Sequence, residues 1–82
     1  MSTVLVFHPT DEGFERNLSQ LRQATIRKAP FAPKSLTVIV DGKAVEATTA
    51  HIRPDGWFAY SDNMGERRVE LHQVTAVEAY FS

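Results

Sequence analysis

The side chains that most often carry catalysis do not fall into a catalytic or metal-binding spacing in this chain. The three histidines, His8, His51 and His72, are widely separated. None has a second histidine four residues away, as a helical zinc motif requires, so we expect no metal and no cofactor. The four glycines are isolated, no serine lies in a hydrolase-type elbow, and there is no cysteine. We therefore predict that the protein is not an enzyme.

Positive charge is concentrated in one segment of the chain, a pattern that can indicate a surface that binds a polyanion. Residues 16–40 contain five bases and no acid, whereas residues 1–15 contain three acids and no base. Four of these bases are predicted to contact phosphates, which supply much of the affinity for nucleic acids: Arg16, Arg22, Arg27 and Lys28. A structural alternative stays open, because the helix dipole also favours acids at the start of a helix and bases at its end.

An aromatic run, Trp57-Phe58-Ala59-Tyr60, is the second candidate for recognition. In a strand, Trp57 would lie on one face and Phe58 with Tyr60 on the other. Exposed aromatics on a strand can stack on bases or anchor a protein interface, and the alternative is that all three pack in the core. For nucleic-acid binding we predict that Trp57, Tyr60 and His72 meet the bases.

The composition is that of a globular protein with one domain spanning residues 1–82. Hydrophobic residues make up 43% and charged residues 23% of the chain, which is ordinary for this class. No apolar run reaches the roughly 18 residues of a membrane span, and Met1–Phe7 lacks the basic flank of a signal peptide, so we expect a cytoplasmic protein without a membrane partner. A domain of this size without disulfides often completes its burial by oligomerising.

Hydrophobic periodicity predicts a strand and a helix in the first third of the chain. Residues 1–9 contain the strand Thr3–Phe7, which His8-Pro9 ends. Residues 10–28 form the helix, with Thr10 or Asp11 as its cap. Two sets of residues repeat at helical spacing, one apolar and one polar: Phe14, Leu18, Leu21 and Thr25 against Arg16, Gln20, Gln23 and Arg27. Residues 29–34, which contain Pro30 and Pro33, form a stiff connector.

Residues 35–81 have the pattern of a β meander. Short β-branched and aromatic runs are separated by turns at Asp41-Gly42, Pro54–Gly56 and Asn63–Gly65. The run from Lys43 to Ile52 is the longest of them. The last part is ambiguous: we favour a strand, a 3₁₀ turn at Gln73–Thr75 and a final strand, while a helix over Glu66–Phe81 is the alternative. The predicted class is α+β, mainly β, with a bent antiparallel five-strand meander.

This order of elements resembles the Sm fold, in particular the Hfq type of RNA chaperone. Residues 38–47 are similar to the first Sm motif, in which an apolar strand leads to a polar residue and glycine (here Asp41-Gly42), with a small residue five positions later. That residue is Ala47 where the family usually has glycine. Residues 69–77 resemble the second motif, with His72 in the place of its histidine and Leu71 in the place of its lysine.

The resemblance covers about residues 14–80 and implies a small Sm-like or SH3-like barrel that forms rings and binds RNA. The first hypothesis is therefore a non-enzymatic, oligomeric small barrel that binds single-stranded RNA or a related nucleic acid. The alternative is a protein-interaction or inhibitor module that binds a protein partner through the exposed aromatic strand. We also predict homo-oligomers through pairing of the final strand, with Val77, Tyr80 and Phe81 at the interface.

Overall fold

In the part of the chain that the structure describes, seven strands form two antiparallel sheets, with one helix beside them. The structure is a computed structural model and describes residues 3–62 and 64–81. The elements are β1 (Thr3–Phe7), α1 (Phe14–Ile26), β2 (Ser35–Val40), β3 (Lys43–Ala47), β4 (Thr49–Ile52), β5 (Phe58–Asp62), β6 (Gly65–Val69), a 3₁₀ turn (Leu71–Gln73) and β7 (Val74–Phe81). The predicted class, α+β and mainly β, is confirmed. The five-strand meander is not: the described strands form two sheets that do not close into a barrel.

The larger sheet has the strand order β1-β7-β2-β3. β7 lies inside this sheet, since Val77 is opposite Phe7 on one side and Val38 on the other. The predicted strand Thr3–Phe7 thus covers one edge of β7, and β2 covers the other. The final strand is therefore not an edge strand, although the predicted pairing with another subunit through it requires one.

The predicted turns join neighbouring strands as hairpins. Asp41 and Gly42 both have positive φ angles, 50° and 79°, as the type I′ turn of a two-residue hairpin requires. Between β4 and β5, the N–H of Gly56 donates to the carbonyl of Arg53 at 2.9 Å. In the third predicted turn Asn63 lies outside the described residues, and the N–H of Met64 donates to Oδ1 of Asp62 at 2.7 Å.

The run from Lys43 to Ile52 is divided at Thr48, where the chain passes from the larger sheet to the smaller one. The smaller sheet has the order β4-β5-β6. Ala47 and Ala50 are both buried although they are three residues apart, so the alternation of inward and outward side chains changes phase between them. The N–H of Thr48 donates to the carbonyl of Ser61 at 2.7 Å, which fixes the bend.

The final segment is a strand, a 3₁₀ turn and a strand, so the alternative helix over Glu66–Phe81 is excluded. The 3₁₀ turn begins at Leu71, two residues earlier than predicted, and this places His72 in the turn rather than in a strand. Glu70 and Gln73 cap the turn reciprocally, with the N–H of Glu70 donating to Oε1 of Gln73 at 3.0 Å.

The helix begins at Phe14, after Gly13, and neither Thr10 nor Asp11 caps it. Gly13 is the N-cap residue and has a φ of 81°, in the region that favours glycine. Asp11 instead accepts the N–H of His8 at 2.9 Å.

The core lies between the two sheets and one face of α1. Its largest fully buried side chains come from four elements: Leu18, Val38, Phe58 and Val77. Phe14 is also buried, and Leu21 packs against the core while half-buried, so the predicted apolar face of the helix is confirmed.

Candidate nucleic-acid interface

The solvent face of α1 carries a row of polar residues bounded by two arginines. Arg16, Gln20, Gln23 and Arg27 are all exposed, as their helical spacing predicted. A rise of about 1.5 Å per residue separates the ends of this row by about 16 Å along the helix axis. We call these four residues the α1 row. Phosphates could reach the whole row without displacing any other element.

The four predicted phosphate contacts form no ion pair with any residue that the structure describes. Within residues 3–62 and 64–81, the ion pairs engage Arg53, Arg67, His51 and His72 with carboxylates. None of these pairs involves the four predicted phosphate contacts, Arg16, Arg22, Arg27 and Lys28. The positive charge of this segment therefore stays available to an anionic ligand.

An exposed aromatic side chain stands at one end of the α1 row. Phe31 is 72% exposed, and it lines a shallow groove together with Gln20, Gln23 and Arg27. The connector holds it there, since the N–H of Ala29 donates to the carbonyl of Ala24 at 3.0 Å. Phe31 was missed as a site residue. Its position in a short connector between two prolines was the sequence signal that it could be exposed.

The predicted cations do not all share one surface. Arg22 is half-buried and lies about 120° around the helix from the α1 row, at roughly 100° per residue. Its charge lowers the pKa of His51. Lys28 is exposed directly after the helix and has a φ of 54°. The structure thus places Arg16 and Arg27 on the same face of α1, with Lys28 near one end of the row. Arg22 lies outside this face.

The predicted base contacts lie away from the α1 row, and one of them is buried. Phe58 and Tyr60 share the core face of β5, with ring centroids 6.3 Å apart. Tyr60 is only 6% exposed, so the prediction that it stacks on bases is wrong. Trp57 is 42% exposed, but it precedes β5 and lines a groove with Asp55 and Glu70.

His72 shares this acidic environment. Its side chain is 75% exposed, and Nδ1 lies 3.1 Å from Oε2 of Glu70. Carboxylates repel phosphates, so the surroundings of His72 and Trp57 favour nucleic acid less than the α1 row does.

Known proteins give no guide to this surface. Comparisons with protein families, with curated proteins and with solved structures find no match. The resemblance to the Sm fold thus stays a prediction.

The predicted oligomer interface falls on β7, in the middle of the larger sheet. Val77 is fully buried, so it cannot contact another subunit. Tyr80 and Phe81 are half-buried, and Phe81 packs against the core. The hydroxyl of Tyr80 donates to Oε1 of Glu78 at 2.9 Å. This hydrogen bond to a carboxylate raises the pKa of Tyr80 above its ordinary value.

A second polar cluster lies on the smaller sheet, where β4 and β6 flank β5. Arg53 bridges two acids, with Nε 3.3 Å from Oδ2 of Asp55 and Nη1 3.2 Å from Oε2 of Glu66. Nε2 of His51 lies 4.0 Å from Oε1 of Glu66, while its buried Nδ1 has no hydrogen-bond partner in the described part of the chain. Burial and the charge of Arg22 lower the pKa of His51 below its ordinary 6.5, and Glu66 partly offsets this.

Two further observations concern ligands and membranes. Residues 3–62 and 64–81 hold no group of three or more histidine, cysteine or acidic residues placed to bind a metal ion. No helix in the described part of the chain has the length and apolarity needed to cross a bilayer.

Proposed function

We propose that this protein is a binding module without catalytic activity, which takes up single-stranded RNA or a related single-stranded nucleic acid along the α1 row. The observation that carries the proposal is a face of one helix with two arginines that no described residue pairs with and no acid between them, next to an exposed aromatic ring. Single-strand binding uses this combination, in which cations follow the backbone and aromatic rings stack on bases.

Each part of the surface has a distinct role in this proposal. Arg16 and Arg27 bind phosphates, and Lys28 adds charge at the end of the helix. Gln20 and Gln23 lie between them and offer amide donors and acceptors to phosphate or base edges. Phe31 stacks on a base, a contact that accepts any sequence because every base has a π-face.

The order of elements supports an Sm-like or SH3-like architecture as the finer description of the fold. A helix precedes β2, the strand pair β3 and β4 is bent at Thr48, and a 3₁₀ turn leads into β7, which returns to pair with β2. This succession is what the resemblance to the Sm fold implies. The ring of subunits that this family forms is not part of this proposal, because β1 covers the edge of β7 through which the predicted oligomer would pair.

The alternative function, binding of a protein partner through an exposed aromatic strand, has lost its main support. It relies on exposed aromatic side chains in the run Trp57–Tyr60, of which Phe58 and Tyr60 are buried. Trp57 alone remains exposed, outside the strand.

The charge of the α1 row can be tested with a double variant, Arg16→Gln with Arg27→Gln. We expect this variant to bind a fluorescein-labelled single-stranded RNA at least about a hundredfold more weakly than the wild type at low salt, since it loses two hydrogen-bonding cations that contribute roughly 1.5–3 kcal/mol each. The matched control is Lys34→Gln with Lys43→Gln, which removes the same charge from exposed lysines elsewhere. Fluorescence anisotropy measures both affinities. Equal losses in the two double variants would contradict the assignment to α1.

The aromatic contact is tested separately. Phe31→Ala should weaken binding by about 1–3 kcal/mol without changing its salt dependence, because stacking involves no phosphate. Met64→Ala, at a side chain that is 85% exposed, is the control and should bind as the wild type does. A Phe31→Ala variant with unchanged affinity would remove Phe31 from the site.

A further inference from the structure

The edge of the larger sheet formed by β1 is apolar on both of its faces. Val4, Leu5 and Val6 are each 46% exposed. Leu5 lies opposite the buried Ala79 and therefore on the core side of the sheet, whereas Val4 and Val6 lie on the outer side. A strand at an edge normally places polar side chains on its solvent face. Here neither face does so.

Two of the other edge strands, β3 and β6, are protected by charge, while the uncharged β4 lies against α1. β3 and β6 end their sheets and carry charged side chains at most of the exposed positions: Lys43, Glu46, Glu66, Arg67 and Arg68. Such charges are a common device against unwanted strand pairing. In the described part of the chain, β1 pairs with β7 alone, and Thr3–Phe7 contains neither a charge nor a proline. Its outer edge is open to a further strand.

We propose that this edge pairs antiparallel with β1 of a second copy of the chain, centred on Leu5. The sequence Thr-Val-Leu-Val-Phe complements itself in this register: Leu5 lies opposite the partner's Leu5, and Val4 lies opposite the partner's Val6. A two-fold axis perpendicular to the sheet relates the copies, so the interface is isologous. This arrangement joins the two four-stranded sheets into one sheet of eight strands. The cores of both copies then lie on the same side of the joined sheet.

The pairing gives new contacts to the backbone polar groups and to the apolar side chains of β1 that are exposed in the monomer. The outward N–H and C=O groups of β1 gain partners, and the side chains gain apolar neighbours on both faces. A strand of an unrelated protein could provide the backbone bonds, but the apolar match at the three central positions, Val4 with Val6 and Leu5 with Leu5, favours a second copy. This surface is separate from the α1 row, so the inference does not depend on the proposed function.

Charge substitutions at Leu5 test the register directly. Sedimentation velocity of the wild type, from low micromolar to several hundred micromolar protein, should show a monomer that converts to a dimer. Leu5→Lys and Leu5→Glu should each be monomeric, since they place like charges opposite one another. An equimolar mixture of the two variants should restore the dimer, because Lys and Glu then face each other.

Met64→Lys is the control for added charge at an exposed apolar side chain and should dimerise as the wild type does. Circular dichroism of each variant shows whether it has folded, and the mixture reports on pairing even if one variant is less stable. A wild type that is monomeric at all concentrations, a dimer that persists in Leu5→Lys, or a mixture that stays monomeric would each overturn the proposal.

Discussion

His51 lies on the outer side of the smaller sheet, where burial and positive charge act on its ring in the same direction. Burial is the larger cause of its lowered pKa, and Arg22 and Arg53 add to it, while Glu66 opposes them. The buried Nδ1, which has no hydrogen-bond partner among the described residues, also loses its hydration on folding. The folded protein thus favours the neutral imidazole.

This environment predicts that stability falls with acidification through the titration of His51. Because the pKa of His51 is lower in the folded than in the unfolded chain, the unfolded chain binds more protons once the pH drops below about 6.5. The contribution of neutral His51 is therefore complete at higher pH and declines as the pH falls through this region toward the folded pKa. Urea unfolding at a series of pH values should show this decline in the wild type.

The His51→Gln variant isolates the effect, because glutamine does not titrate. Its stability should change less between about pH 7 and pH 5 than that of the wild type, whatever its absolute stability. An identical pH dependence in the two proteins would show that His51 is not the group that titrates.

At the scale of elements, α1 presents one face to the core and the α1 row to solvent. Leu18→Ala should lower the free energy of unfolding by roughly 2–5 kcal/mol, since Leu18 is 1% exposed and its truncation leaves a cavity. Gln20→Ala, on the exposed face, should change it by about 0.5 kcal/mol or less. Chemical denaturation measures both values. Similar losses in the two variants would show that the faces have been assigned incorrectly.

Elements whose pattern is local could be predicted from the sequence, whereas pairings between distant segments could not. The strand Thr3–Phe7, the apolar face of α1 and the turn at Asp41-Gly42 follow from spacing and turn chemistry among near neighbours. The place of β1 beside β7 depends on contacts between opposite ends of the chain. Local spacing does not indicate this pairing, and therefore does not show that β7 lies inside the sheet.

The difference between local patterns and distant contacts also explains which residues of the candidate site could be predicted. Arg16 and Arg27 were predicted on the exposed face because helical spacing alone decides it. Tyr60 was misplaced because alternation assigns it to the same face as Phe58 but does not say which face is buried. Phe31 lies in a connector, where no periodicity indicates whether a side chain packs or stays exposed.

At the scale of the whole molecule, a net charge of −1 conceals two different kinds of surface. Acids and bases neutralise each other on the smaller sheet, where Arg53 joins Asp55 and Glu66. On the solvent face of α1, Arg16 and Arg27 have no such partners among the described residues. We therefore expect the position of the cations on α1, and not the net charge of the protein, to determine nucleic-acid binding.

The dependence of RNA binding on salt tests this central claim most directly. The affinity of the wild type for a labelled single-stranded RNA is measured by fluorescence anisotropy over a range of salt concentrations. We expect the logarithm of the binding constant to fall linearly with the logarithm of the salt concentration, with a slope of about −1.4 for two phosphate contacts and about −2.1 for three. Absence of binding at low salt, or an affinity that does not change with salt, would contradict it.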